Sequence, residues 1–135
     1  MNIKNILSIT SLTFLLPTYI GYKSSRINHK IISYITLITT ICAQLFWYNA
    51  EKYSIAHKID SYCVRIALLM LVLIIISNVR NIKFIIFSPL IMAIVCIIYS
   101  DYFSTLLWCS EKHIFAHALS HMLFTFIVMI ILSFN

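Results

Sequence analysis

Five apolar runs divide the chain, at residues 6–22, 31–48, 61–77, 82–99 and 114–132. A bilayer's hydrocarbon core takes roughly 20 residues of helix to cross. Inside it the backbone must satisfy its own hydrogen bonds, so such runs become helices. The sequence therefore predicts an all-α, polytopic transmembrane helical bundle of about five spans, forming one domain over residues 1–135. The composition fits this: 61% of residues are hydrophobic and 10% are charged, where a soluble domain averages about 25% charged.

The gaps between the runs are short and carry most of the charge. Residues 23–30 hold Lys23, Arg26, His29 and Lys30, and residues 78–83 hold Arg80. With five spans these two basic loops, Lys83 and the C-terminus share one side. Lys4, Lys52, Lys58 and Lys112 lie on the other, with all four acidic residues and with Arg65 near its surface. By lysine and arginine count the two sides are nearly equal. The absence of acids from the first side tilts the expectation to a cytoplasmic C-terminus and cytoplasmic basic loops. The net charge of +6 sits at lipid-headgroup level, so the expected partners are membrane lipids and not nucleic acid. A charged start before an apolar run also describes a signal peptide. No small-residue cleavage site follows, and the first run reads as a span.

Several details carry structural expectations. Pro17 and Pro89 each predict a kink. Ser33, Thr36, Thr40 and Gln44 fall on one face of the second span as an interhelical polar stripe. Trp47 and Tyr48 mark that span's interfacial end. Arg65 either snorkels to the interface or pairs with Asp60 or Glu51. Cys42 and Cys96 read as plain core residues, while Cys63 and Cys109 are able to approach each other. No internal repeat or low-complexity segment is present.

The chemistry concentrates in the last run and its approach, His113-Ile-Phe-Ala-His117-Ala-Leu-Ser-His121. Histidines four apart share a helix face, and Thr125 extends the stripe. A polar stripe on a membrane helix faces other helices or a wet cavity. The topology adds partners, because Glu51, Ser54, His57 and Asp60 belong to the same membrane face as this stripe. His57 and Asp60, three apart, share a face if their stretch is helical. His117 and His121 are spaced to reach one ion, and three histidines with a carboxylate suit zinc. The expected ligands are His57, His117 and His121. Asp60 would act on the bound water and the Ser54 hydroxyl would stabilise an oxyanion.

These pieces, Ser54-Ile-Ala-His57, Asp60-Ser-Tyr and His117-Ala-Leu-Ser-His121, resemble the CREST superfamily of membrane hydrolases. That group includes the alkaline ceramidases, the progestin and adipoQ receptors and the hemolysin III-like proteins. The resemblance implies a helical bundle with zinc on three histidines, an Asp- and Ser-assisted water, and hydrolysis of a ceramide-like lipid amide, or a degenerate relative of that chemistry. The chain has two spans fewer than the family's bundles. Losing an even number between the Asp and the HxxxH keeps both motifs on one side.

Plainer readings stand beside this one. His113 is an interfacial histidine, His117 and His121 hydrogen-bond to Thr or Gln of the second span, Asp60 caps the third span, and Ser54 is a loop or cap serine. The competing functions are a non-enzymatic accessory, structural or channel-forming subunit, the last as a homo-oligomer, and an ion transporter.

Overall fold

A computed structural model of the chain describes residues 3–48, 50–77 and 84–133. The expectation for the basic loop at 78–83, with Arg80 and Lys83, lies outside the described residues. The described chain forms helices and short connections. α1 (Ile3–Ser11) and α2 (Leu15–Lys23) are joined by a 3-10 turn, Leu12–Phe14. α3 (Ile27–Tyr48) and α4 (Ile55–Ser77) follow. A second 3-10 turn, Phe84–Ile86, leads into α5 (Phe87–Leu106), and α6 is Glu111–Ser133. Helices α3, α4, α5 and α6 are each long and apolar enough to cross a membrane. The protein is a multi-pass integral membrane protein built as an all-α bundle.

The first apolar run is helical throughout but changes pitch at Leu12–Phe14, three residues before Pro17. Proline has no N–H for the helix ladder, and tightening the preceding turn accommodates the loss. Pro89 sits in the same arrangement, as the third residue of α5 and three residues after the Phe84–Ile86 turn.

Helix starts and ends also differ from the expected boundaries. α4 begins at Ile55 rather than 61, α6 at Glu111 rather than 114, and α5 runs on to Leu106 rather than stopping at 99. In each case polar residues that read as connection occupy a turn of helix. This places His57, Asp60, Ser100, Asp101 and His113 on regular helix.

The α1–α2 stretch sits between α3 and α6, packing on both. α4 lies on the far flank of α3, and α5 on the far flank of α6. Lipid is as apolar as leucine, so burial alone does not drive these contacts. Close packing and interhelical hydrogen bonds do. The expected polar stripe of α3 supplies many of them. Gln44 accepts from Ser8 Oγ (2.7 Å) and donates to the Ser8 carbonyl (2.7 Å) and Ser11 Oγ (2.8 Å). The hydroxyls of Thr18 and Thr36 are 2.8 Å apart, and Ser33 Oγ donates to the Thr18 carbonyl at 2.6 Å. At Gly21 the α2 and α3 backbones come close. A Cβ there would fall 2.5 Å from the His29 carbonyl oxygen and 3.0 Å from Ser33 Cβ.

Two packed clusters result. One joins Ala67, Leu71 and Ile75 of α4, Leu90 and Ala93 of α5, and Phe124, Ile127 and Val128 of α6. The other, at the opposite end of the bundle, joins Leu7, Phe46, Trp47, Ala50, Ile114 and Ala118.

Candidate functional site

Beside the second cluster lies a cavity of about 70 Å³. Its wall takes His57, Asp60, Ser61 and Arg65 from α4, Ser100, Asp101 and Ser104 from α5, and His113, His117, Ser120 and His121 from α6. Trp47 of α3 and Trp108 of the α5–α6 connection complete it. Of the residues that the sequence nominates, His57, Asp60, His117 and His121 are therefore brought to one wall. Ser54 is not part of that wall.

The two helix starts beside the cavity are built alike. Tyr53 (φ 65°) and Cys109 (φ 58°) both take the left-handed conformation. Each is followed by a serine that caps the next helix. Ser54 Oγ accepts the His57 N–H at 3.1 Å, and Ser110 Oγ accepts the His113 N–H at 3.3 Å. The histidine then reaches back. His57 Nδ1 accepts the Tyr53 N–H (3.1 Å), and His113 Nδ1 accepts the Cys109 N–H (3.2 Å). This is a variant of the capping box, with histidine where Glu or Gln usually stands and with the N–H before the cap serine as the one it accepts. Its signature, Ser-x-x-His, occurs in the sequence at both places. It is a short repeat that a search for longer periods passes over.

The caps decide which ring nitrogen carries the proton. An Nδ1 that accepts a backbone N–H is bare, so neutral His57 and His113 hold their hydrogen on Nε2. Thr10 Oγ1 stands 3.1 Å from His121 Nδ1 and 3.2 Å from the Leu7 carbonyl; with its hydrogen on the carbonyl it accepts from Nδ1 and leaves Nε2 with its lone pair. His117 Nδ1 is 3.0 Å from Ser100 Oγ. The polar contacts of His117 and His121 thus run to α5 and α1, not to the Thr and Gln residues of the second span. The His117 and His121 rings stand edge to face, with centroids 4.8 Å apart. His113 is only 2% exposed, so it is a buried capping residue rather than an interfacial one.

Asp60 is 4% exposed, and its Oδ1 has no hydrogen-bond partner. It lies in the second turn of α4, past the cap position, which Ser54 fills. Among the described residues no ion pair joins Arg65 to Asp60 or to Glu51, and Arg65 is exposed. Trp47 Nε1 is likewise buried without a partner. Trp47 is 4% exposed and turns inward, while its neighbour Tyr48, 94% exposed, faces out. Only the tyrosine fits the expected interfacial position. Trp47 stacks at 11° on Trp108 and stands edge-on to His117, with centroids 6.3 Å and 5.4 Å away. Lys52 ties the α3–α4 loop over the site. Its Nζ donates to the Ser104 carbonyl in the last turn of α5 at 2.6 Å and lies 5.8 Å from the Trp108 ring centroid. Trp47, Trp108, Ser100, Asp101 and Lys52 are among the site residues that sequence reasoning misses.

The side chains fit a metal only in part. His117, His121 and Asp60 have donor atoms left over for one. Capped His57 presents an N–H instead, and ligates only if its bond from Tyr53 opens. Among the described residues no three His, Cys, Asp or Glu side chains converge as a bound ion requires. Ser54 is committed to its cap and acts on the cavity only by holding His57.

No protein-family model, curated protein or solved structure matches the chain. Its likeness to the CREST hydrolases rests on the residues themselves.

Proposed function

We propose that the protein is a small intramembrane lipid hydrolase that cuts an amide or ester bond close to the membrane surface. The observation that carries this reading is the gathering of Asp60, His57, His117 and His121, from helices distant in sequence, around one cavity with an unpartnered carboxylate oxygen. Buried polar atoms without partners are uncommon, and they mark places where something else binds. A space of about 70 Å³ takes a few waters or the reacting polar group of a lipid, but not its chains. The chains would lie along the outer, lipid-facing helix surfaces.

In this reading His117 and His121 would hold zinc, which when bound polarises a carbonyl and makes its water acidic. The chain does the rest. Ser100 and Thr10 fix the orientation of the two α6 rings. The Nε2–H groups of His57 and His113 are donors for negative charge developing on the carbonyl oxygen. Asp60 accepts the proton of the attacking water. We further propose that the C-terminus and the basic loops are cytoplasmic, which puts the site on the opposite face.

One observation favours a second reading. That no ligand set converges among the described residues suits a non-enzymatic bundle in which the histidines act as caps and interhelical ties. Elemental analysis of the purified protein in detergent separates the two. About one zinc per chain, lost in His117→Ala/His121→Ala, is expected for the hydrolase, with release of a fluorescent acyl chain from a ceramide-like probe. A folded, metal-free wild type without hydrolysis would leave the histidines as structural contacts.

A further inference from the structure

Cys42 and Cys63 are both free thiols. Cys42 of α3 and Cys63 of α4 face each other across the helix pair, with their sulfurs 3.3 Å apart. The sequence pointed to Cys63 approaching Cys109 and to Cys42 as plain core, so this pairing was not legible there. Both residues are half-buried rather than sealed in the core. Two helices that already pack together bring the sulfurs within hydrogen-bond distance, where a disulfide would draw them to about 2 Å.

We propose that Cys42 and Cys63 form a redox-active dithiol that oxidises to an intramolecular disulfide clamping α3 to α4. The oxidant is a small disulfide able to enter the bilayer. One thiolate attacks it, forming a mixed disulfide and releasing one thiol of the reagent. The second cysteine then attacks the mixed disulfide at the protein sulfur and releases the other. Two protein thiols become a cystine, the reagent's S–S bond is reduced to two thiols, and the two cysteine protons end on those thiols. Asp60 is three residues before Cys63 on the same helix face, so the clamp fixes to α3 the turn that carries the cavity's unpartnered carboxylate. This holds whether or not the cavity is hydrolytic.

The test uses the wild-type protein in detergent, treated with dithiodipyridine and digested for mass spectrometry. The expected product links the peptides containing Cys42 and Cys63, with the mass lowered by two hydrogens and no pyridylthio group retained. The thermal midpoint should rise by several degrees, and a reductant should reverse both changes. With Cys42→Ser, a retained adduct on Cys63 is expected in place of the cross-link. Separate pyridylthio adducts on Cys42 and Cys63 of the wild type, or complete maleimide labelling of both after oxidant, would overturn the proposal. Since the decisive measurement is made on the wild type, it does not depend on how well a variant folds.

Discussion

The two ends of the bundle are held together in opposite ways. At the end containing Leu71, Ile75, Leu90, Ile127 and Val128, aliphatic side chains from three helices fill the space between them. At the other end the contacts are rings, caps and hydrogen bonds. Trp47 stacks on Trp108, the two meet His117 and His57 edge to face, and Lys52 closes the roof. Both buried polar atoms without partners, Asp60 Oδ1 and Trp47 Nε1, belong to this second end among the described residues. The first end uses its side chains on each other, while the second keeps some in reserve. Stability and chemistry are therefore separable along the length of α6, whose first half faces the cavity and whose second half is core.

Substitutions at the two ends should separate these roles. The largest effect is expected from Asp60→Asn. Lipid hydrolysis should fall by roughly a hundredfold or more, while the melting midpoint stays level or rises, because no partner of Oδ1 is lost. Equal losses of hydrolysis and stability would mean that Asp60 is structural and would blur the contrast. Next is Ile127→Ala at the opposite end. This residue is wholly buried, and its truncation should cost about 2 kcal/mol. The value sits at the low side for such changes because the membrane, rather than water, is the reference outside the fold. Activity per folded molecule should be unchanged, measured by assay beside denaturant titration. A smaller effect, about 1 kcal/mol, is expected for Ser110→Ala, which removes one N-cap. Amide exchange should quicken at His113 and leave the α4 start untouched. If the α4 start also loosens, the two caps are coupled through Trp108, which touches both capped rings.

The contrast between the ends also explains what was readable from sequence. Long apolar runs report helices well, because in lipid no other backbone arrangement is available to them. The gathering of His57, Asp60, His117 and His121 followed from counting crossings, which needs no detail of packing. Helix starts were harder. Ile55 to Asp60 and Glu111 to His113 are polar enough to read as loop, and only the serine caps reveal that helix has begun. Trp47 looked like an interfacial anchor because its type fits that role. Nothing local distinguishes it from Tyr48, and the packing against Trp108 that turns it inward comes from residues sixty positions away. The partner of Cys63 was hidden for a similar reason. Register between neighbouring helices is set by side-chain fit along their whole length, which spacing within one helix does not report.

Gly21 links these observations to the site in another way. The α1–α2 stretch is fastened to α3 along its length, by the bare backbone of Gly21 near one end, by Thr18 with Ser33 and Thr36, and by Gln44 gripping Ser8 near the other. Thr10, which orients His121, lies close to the Ser8 end. At 1.5 Å per residue it is roughly 17 Å along the helix from Gly21. The stretch is a lever whose fulcrum is a missing methyl group. Adding that one carbon would lift the arm off α3 and pass the tilt to the far end, where it would be felt as a change in the direction in which a histidine nitrogen points.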